Sequence, residues 1–394
     1  MLPSFLLTLY PINRISLDVG FKLIPIYLLL LFILLRCLIR GDRLSVKFYP
    51  IEYFAFIFYI YAMFTSLYTF SIDSSLRFIA GFSLACSTYV LSRAYISRHK
   101  FNLIIYFDRA AKLFLLGSLL NYFFGLLTMD LGAEHVDFFG LTIEKGVPRM
   151  IGLSNDPNIF AFTILIFIFY FIYSSGRWSR MFAGLGVASL LLSMSRGGGV
   201  AFIFGLVGVI VMARPRAWVY IILSFSILLT VYFFWPAGYL VDVIGIYIDK
   251  RVSGIETAGG RTIIWRNALE LWESRPVFGY GIFSFQDVLG EVFNDYRHAH
   301  NTYLEVLFET GIIGFVIFSS FILFSLFLSL RISLKCNELR FLFPSFVALV
   351  VAIFGLSVYI HPVFFFYYLT LVGLYDSYVS RNPYFHNVKP YRRR

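Results

Sequence analysis

Long apolar stretches alternate with short polar ones along most of this chain. They fall near residues 21–39, 50–70, 76–92, 103–129, 158–175, 181–195, 198–213, 217–235, 302–330, 341–360 and 363–380. Most have close to the ~20 residues that an α-helix needs to cross the hydrocarbon core of a bilayer. A shorter candidate lies at residues 2–17. The pattern predicts an all-α, polytopic integral membrane protein with about 11–12 transmembrane helices.

The composition excludes a soluble protein. Of the 394 residues, 59% are apolar, 20% are aromatic and only 14% are charged. A soluble domain carries about 25% charged residues. So few charges cannot cover the surface of a folded soluble protein of this size, and the apolar residues must instead face lipid.

The net charge of +11 raises the question of nucleic-acid binding, and the distribution of the basic residues argues against it. Lys and Arg collect in short segments that alternate with less basic ones, at 36–47, 93–100, 177–180, 214–216, 331–340 and 381–394. Such alternation follows the positive-inside rule, which makes these segments cytoplasmic. We therefore expect no nucleic-acid partner.

The apolar stretches divide the chain into three parts. Residues 1–235 form an N-terminal transmembrane bundle, residues 236–301 a large outer loop, and residues 302–394 the C-terminal transmembrane helices with a basic cytoplasmic tail. The arginines of the large loop do not conflict with this topology, because long loops cross a membrane largely regardless of charge.

Within the large loop, residues 262–273 form an amphipathic run that Pro276 ends. One face carries apolar residues at helical spacing, namely Trp265, Ala268, Leu269 and Trp272. The run predicts an α-helix that either lies at the membrane interface or packs in a small core within the loop. The pattern leaves both alternatives open.

Three arginines are candidates for binding an anion on the outer side. Arg196 stands at the outer end of a predicted span and precedes three glycines, so it is either an interface anchor or an anion ligand facing a cavity. Arg261 stands at the start of the amphipathic helix, where backbone amides add donors for a phosphate. Arg266 precedes Glu270 by four residues, a spacing that predicts a surface ion pair.

The segment that begins at His298 carries the most distinctive polar pattern. Asn301, Glu305 and Glu309 recur every four residues, so one polar stripe runs along the following helix. An imidazole at the membrane surface, such as that of His300, titrates near neutral pH and can abstract a proton from a hydroxyl. The alternative is a pair of solvated loop histidines. No cysteine or third ligand stands at metal-site spacing, so we predict no metal site.

A charged group within a predicted span favours a different class of protein. Asp108 and Lys112 lie four residues apart in the stretch 103–129. Such charges belong either to the ion or proton path of a transporter or to a simple ion pair within one helix. We favour the ion pair.

Four segments together resemble the bacterial O-antigen ligases and the related Wzy-type polysaccharide polymerases. They are His300-Asn301 followed after nine residues by Gly311-x-x-Gly314, Gly260-Arg261-x3-Trp265 with Pro276-x-Phe278-Gly279-x-Gly281, Ser195-Arg196-Gly197, and Gly152–Asn158 after Arg149. They span roughly residues 149–314 in the order that the family shows. One position departs from the ligase pattern, since Val200 stands where the ligase arginine motif usually has leucine.

The resemblance implies a metal-independent, inverting glycosyltransferase with a GT-C-like membrane fold and no cofactor. The donor would be a glycan on undecaprenyl diphosphate, and the acceptor a sugar hydroxyl. It implies catalytic roles for His300, Arg261 and Arg196. We add a second set of residues for binding the diphosphate or the glycan, namely Arg149, Arg266, His298, Asn301 and Glu305.

The resemblance also sets the location and the partners. The protein would lie in the inner membrane with its active site on the periplasmic face, together with membrane lipid and a chain-length regulator. We favour a Wzy-type polymerase, because the large loop is compact and the ligase motif is imperfect at Val200. The alternative is an O-antigen ligase that transfers the chain to lipid A–core. A lipid-linked glycan flippase is less favoured, because the candidate cations gather on the outer side.

Overall fold

The computed structural model describes residues 2–18, 22–41, 45–99, 102–129, 137–144, 147–212 and 261–381. In this part of the chain the helices are α1 (Leu2–Leu9), α2 (Pro25–Ile39), α3 (Pro50–Thr65), α4 (Ile72–His99), α5 (Leu103–Thr128), α6 (Pro157–Tyr173), α7 (Ser179–Ser193), α8 (Arg196–Met212), α9 (Arg261–Trp272), α10 (Phe285–Phe293), α11 (Thr302–Lys335), α12 (Leu342–Ala352) and α13 (Pro362–Arg381). The predicted all-α fold is confirmed. The predicted span 217–235, the first part of the large loop and the tail from residue 382 lie outside the described residues.

Several of these helices are long and apolar enough to cross a membrane. Within the described residues the candidates are Pro50–Tyr68, Ile72–Arg98, Leu103–Thr128 and Thr302–Lys335, and the shorter apolar helices are α2, α6, α7 and α8. The protein is therefore a polytopic membrane protein.

Helix α6 lies at the centre of the bundle. It is buried by neighbouring helices from Ile159 to Phe171, and its apolar sequence has no polar face that would oppose this. Its Phe162 ring stacks on Tyr367 of α13 at 4.9 Å, and the Tyr367 hydroxyl donates to the Phe162 carbonyl oxygen at 2.8 Å. Helix α12 packs against α6, α8 and α11, so the core holds the two halves of the chain together.

Two apolar stretches differ from the predicted spans. Stretch 341–360 forms only α12, and the chain then turns, because residues after Ala352 bind the start of α11. The Thr302 amide donates to the Ile353 carbonyl oxygen at 2.9 Å, and the Thr302 hydroxyl donates to that of Leu356 at 2.6 Å. Stretch 2–17 forms only α1, which is followed by a short hairpin of β1 (Leu17–Asp18) and β2 (Lys22–Leu23).

The loop after α5 contains a small sheet that the sequence pattern did not predict. Strands β3 (Asp137–Phe138), β4 (Leu141–Glu144) and β5 (Val147–Met150) pair antiparallel in this order. The sheet places Arg149 next to α7.

Arg93, the first residue of the basic segment 93–100, lies within α4 and is fully buried. Its Nε atom lies 3.2 Å from Glu52 of α3, and its Nη1 atom lies 3.3 Å from Asp376 of α13. A buried arginine is stable only when its charge is paired in this way. The pairing ties three helices together at one end of the bundle.

Helix α11 is broken at Gly311, whose backbone has φ 65° and ψ −170°. Only glycine adopts this conformation readily. The break frees backbone groups that the segment 276–281 binds. The amides of Tyr280 and Gly281 donate to the carbonyl oxygens of Phe308 at 3.0 Å and Glu309 at 2.8 Å.

The segment 276–281 is shaped for this contact. The Ile312 amide donates to the Pro276 carbonyl oxygen at 2.9 Å. Gly279 and Gly281 both have positive φ, and a Cβ at Gly279 would collide with the carbonyl oxygen of Phe308. The motif Pro276-x-Phe278-Gly279-x-Gly281 and the motif that begins at Gly311 thus bind each other through their backbones.

Candidate active site

Arg261 is the first residue of α9 and is half-buried. Its Nη1 atom lies 3.5 Å from the carbonyl oxygen of Gly355, in the turn after α12. One helical turn later, Trp265 Nε1 donates to the Ala299 carbonyl oxygen at 2.8 Å, and its ring packs edge-on against Phe354. These contacts fix the start of α9 between the turn after α12 and the loop before α11.

Arg196 is the first residue of α8 and is exposed. The preceding turn reverses the chain through Met194, which has a left-handed backbone with φ 50°. The Ser195 hydroxyl donates to Asn158 of α6 at 2.8 Å and accepts from the Gly198 amide at 3.2 Å. The Ser195 side chain thus caps α8 and attaches the turn to the segment Gly152–Asn158.

His300 also has a left-handed backbone, with φ 48°. Strain of this kind is uncommon outside glycine and clusters at functional sites. The next residue, Asn301, caps α11, since its side chain accepts from the amides of Tyr303 at 3.1 Å and Leu304 at 3.2 Å. The cap fixes where α11 begins and hence where His300 lies.

The three candidate catalytic residues come together from separate segments. Burial of the ring among protein atoms, followed by the positive charge of Arg261, lowers the pKa of His300. Burial and the charge of Arg196 lower the pKa of Arg261. Asp156 is close enough to both Arg261 and His300 to oppose these shifts. The site is therefore a cluster of positive charge with two nearby carboxylates, those of Asp156 and Glu305.

The N-terminal ends of four helices converge on this cluster, because Asp156, Arg196, Arg261 and Asn301 stand at or next to the first residues of α6, α8, α9 and α11. The positive ends of helix dipoles favour an anion there. In three of the four helices, a side chain already accepts hydrogen bonds from first-turn amides. Asp156 does so for α6, Ser195 for α8 and Asn301 for α11. The arginine side chains are thus the main donors left to an anion.

Arg149 lies behind the Arg196 turn and is buried. Its Nε atom donates to the Ser193 carbonyl oxygen at 3.1 Å, and its Nη1 atom pairs with Glu144 of β4. At least two of its nitrogens are therefore engaged with protein atoms. The contacts indicate that Arg149 holds the turn.

Glu305 holds the loop that carries both histidines. Its Oε1 atom accepts from the Ala299 amide at 3.2 Å and from the Ser357 hydroxyl at 2.5 Å, and lies 3.5 Å from His298 Nδ1. Glu309 points elsewhere and accepts from the Tyr359 hydroxyl at 2.6 Å. Of the two carboxylates, Glu305 is the one that positions the His298–His300 loop.

The remaining polar predictions have mixed outcomes. Lys112 Nζ pairs with Asp108 at 2.6 Å, as expected, and the Tyr170 hydroxyl also donates to Asp108. The predicted pair of Arg266 with Glu270 is wrong, because these two described residues do not approach within ion-pair distance and both side chains point to the exposed face of α9.

Helix α9 packs in a small core within the large loop. Ile264 and Ala268 are buried in this core with Tyr280, Phe285, Val288, Leu289, Ala299, Leu304 and Phe308. Trp265 and Trp272 pack against it. The structure thus favours the loop-core alternative. This core connects α9 to α10 and to the start of α11, so it aligns Arg261 with His300.

A cavity of about 480 Å³, lined by both polar and aromatic side chains, lies beside the cluster. His298 and Glu305 line it, so the loop that carries His300 forms part of its wall. Sequence reasoning missed Tyr359 and Asn13, which also line it, because these residues come together only in the fold. Asn155, another lining residue, and Asp156 lie in the segment Gly152–Asn158 that the sequence singled out, but neither was given a role of its own.

Comparison with known proteins supports the resemblance found in the sequence. Residues 181–319 match the model of a protein family described as O-antigen ligase. The match covers about a third of the chain and includes Arg196, Arg261 and His300, whereas Arg149 lies outside it. No curated protein matches the chain.

Proposed function

We propose that this protein is an inner-membrane glycosyltransferase, because residues 181–319 match the model of the family described as O-antigen ligase. It transfers a glycan from undecaprenyl diphosphate to a sugar hydroxyl on the periplasmic side of the membrane. Its partners are the lipid-linked oligosaccharide, the acceptor sugar, membrane lipid and a chain-length regulator.

The observation that carries this proposal is the convergence of Arg196, Arg261 and His300 from three separate segments. In the donor, a diphosphate leaves the anomeric carbon and negative charge builds on its bridging oxygen. Two arginines beside helix N-termini supply fixed positive charge at such a position. Arginine suits this task, because its forked donors match phosphate oxygens better than a lysine ammonium does.

His300 is the general base of the proposed reaction. It takes the proton of the acceptor hydroxyl, whose oxygen then forms a bond to the anomeric carbon. The bond from that carbon to the diphosphate oxygen breaks, and its electron pair stays on the phosphate. Attack opposite the leaving group inverts the anomeric carbon, and the step requires no metal ion. The lowered pKa of His300 keeps the ring neutral and able to accept a proton at physiological pH.

Two candidate functions differ only in the acceptor of the glycan. A Wzy-type polymerase adds the chain to the next lipid-linked repeat unit, and the departure at Val200 from the ligase motif supports this candidate. An O-antigen ligase adds the chain to lipid A–core, and the description of the matched family supports that one. We place the polymerase first.

The test is a transfer assay with purified, reconstituted protein. The protein receives undecaprenyl-diphosphate-linked repeat units with and without lipid A–core, and the products are separated on a gel. A ladder without lipid A–core identifies a polymerase, and product only with lipid A–core identifies a ligase. We expect His300→Ala and Arg261→Ala to lose transfer.

The matched control is Arg180→Ala, which removes an exposed arginine near the start of α7, the end opposite Ser193. This variant keeps wild-type transfer if the effect of Arg261→Ala is specific to the site. Absence of product with either acceptor, or transfer by His300→Ala at the wild-type rate, contradicts the proposed function.

A further inference from the structure

The cavity beside the catalytic cluster has the size and lining of a ligand site. Its volume of about 480 Å³ falls within the roughly 300–1,000 Å³ of ordinary ligand pockets. It does not include Arg196, Arg261 or His300 among its lining residues. The cavity is thus next to the cluster, and His298 and Glu305, which line it, also lie near His300.

The lining offers hydrogen-bonding groups of the kinds that hydroxyls need. Glu305 and Glu309 supply carboxylate acceptors, Asn13 and Gln286 supply amides, and His361 supplies an imidazole. Carboxylates accept from hydroxyls, while amides both donate and accept. A polyol with several hydroxyls can satisfy such a lining, whereas an apolar ligand would leave buried polar groups without partners.

Two of these polar groups have spare hydrogen-bonding capacity. Glu305 is only 4% exposed, and all its hydrogen bonds within the described residues go to Oε1, so Oε2 has no donor. Asn155, another lining residue, has a buried Oδ1 atom without a hydrogen bond among the described residues. A buried acceptor without a donor, such as Asn155 Oδ1, costs about 1–3 kcal/mol. Of the two atoms, Glu305 Oε2 is the acceptor that a ligand hydroxyl would meet.

Aromatic side chains complete the wall. Tyr27, Phe82, Phe283, Phe285 and Tyr359 line the same cavity. The apolar C–H face of a pyranose packs on aromatic rings while its hydroxyls point to polar groups at the edge. Aromatic rings beside carboxylates and amides therefore indicate a sugar ring.

The charges of the lining restrict which sugar fits. Glu305 is buried in the wall, whereas the single lining arginine, Arg77, is exposed. Like charges close together repel each other. A uronic acid or a sugar phosphate would bring its negative charge against the Glu305 carboxylate.

From this geometry we infer that the cavity is the subsite for the acceptor sugar, and that it takes a neutral or N-acetylated pyranose and excludes an anionic one. The inference rests on the proposed transfer to a sugar hydroxyl. Because Glu305 both lines the cavity and binds the loop before α11, a sugar held by Glu305 lies next to His300. Occupancy of the cavity thereby positions the hydroxyl that loses its proton.

The chain offers a clean way to close this cavity. Gly81 of α4 lines it, and a Cβ at this position meets open space. Gly81→Trp would therefore fill the cavity without disturbing the polar groups on α11. Gly184→Trp is the matched control, because Gly184 lies on a helix, is exposed, and also meets open space, but is not part of the cavity.

The experiment measures saturation-transfer NMR with the full chain in lipid nanodiscs and no donor present. The probes are methyl glucoside, methyl galactoside, methyl rhamnoside, methyl N-acetylglucosaminide and methyl glucuronide. We expect saturation of at least one uncharged probe by the wild type, by Gly184→Trp and by Arg261→Ala. We expect binding about tenfold or more weaker in Gly81→Trp, since a filled pocket cannot bury the ring.

Because this measurement requires no transfer, it separates the two proposals. Binding by Arg261→Ala together with loss of its transfer supports both. Binding that disappears in Gly81→Trp while no protein transfers glycan, the wild type included, shows that the cavity binds a sugar but contradicts both the proposed activity and the acceptor role of the cavity. Absence of saturation for every probe, equal binding by Gly81→Trp, or glucuronide binding as strong as that of the neutral probes overturns the inference.

Discussion

The Nε atom of Arg149 donates a hydrogen bond of 3.1 Å to the carbonyl oxygen of Ser193, the last residue of α7. The chain turns immediately after this carbonyl, and α8 begins at Arg196. The same guanidinium pairs with Glu144 of the small sheet. Arg149 therefore links the small sheet β3–β5 to the turn that presents the exposed Arg196.

We expect Arg149→Ala to lower both stability and transfer. The loss of a charged hydrogen bond to the buried Ser193 carbonyl lowers the free energy of unfolding by about 1–3 kcal/mol. Transfer falls because the turn no longer fixes Arg196. Thermal unfolding in detergent and the transfer assay measure the two effects. As a stability control, Arg266→Ala at an exposed position changes the free energy by no more than about 0.5 kcal/mol. An unchanged Tm together with weaker donor binding would instead make Arg149 a direct ligand of the diphosphate.

Substitution of Arg196 or Arg261 tests the role of the guanidinium itself. Removing one preorganised donor to the leaving group typically costs about 100- to 1000-fold in rate, so we expect losses of this order for Arg196→Ala and Arg261→Ala. The lysine variants recover only part of the rate, because a point charge cannot donate two parallel hydrogen bonds. Initial rates at saturating donor measure this. Full activity of both lysine variants would mean that charge alone is sufficient.

The pH dependence of transfer reports on His300. Its pKa is lowered, so its neutral form persists below pH 6.5, the usual value, and kcat/KM should fall only under more acidic conditions. Loss of the Arg261 charge makes protonation of the ring easier and raises the pKa of His300. In the pH profile of kcat/KM, the fall on the acidic side therefore moves to higher pH for the residual activity of Arg261→Gln. In Arg261→Lys it stays at the wild-type pH. An identical fall in both variants would show that the titrating group is not His300.

The break in α11 requires glycine at position 311. With φ 65°, a side chain would be strained, and a Cβ would also collide with the Val277 carbonyl oxygen. We expect Gly311→Ala to lower Tm and to weaken the attachment of the segment 276–281, seen as faster hydrogen exchange of the Tyr280 and Gly281 amides. Gly184→Ala, in a helix with open space, serves as the control and keeps wild-type exchange. Slow exchange in Gly311→Ala would contradict this account.

The parts of the fold that depend on local pattern were predictable. The amphipathic run 262–273 became α9, Arg261–Trp272, because helical periodicity is a property of neighbouring residues. The sheet β3–β5 was not predicted, since strands of two to four residues are too short for an alternating pattern to be recognised. The shortening of stretch 341–360 was not predictable either, because it follows from hydrogen bonds to Thr302, which is distant in sequence.

The same distinction holds for the candidate site. Motif spacing singled out Arg196, Arg261 and His300, and the fold brings them together. It did not distinguish Glu305, which binds the histidine loop, from Glu309, which binds Tyr359. Both carboxylates fall on the same face of α11, and their roles differ only because each binds a different segment of the fold.

The nine residues between Asn301 and Gly311 set the distance and the rotation between the start of α11 and its break. Asn301 fixes where α11 starts, and the segment 276–281 fixes where it breaks. Each residue of an α-helix turns the chain by about 100° and advances it by 1.5 Å. Removing a single residue from this interval would rotate His300 away from Arg261 even though every side chain of the cluster is retained. The site is therefore specified by a length as much as by the identities of its residues.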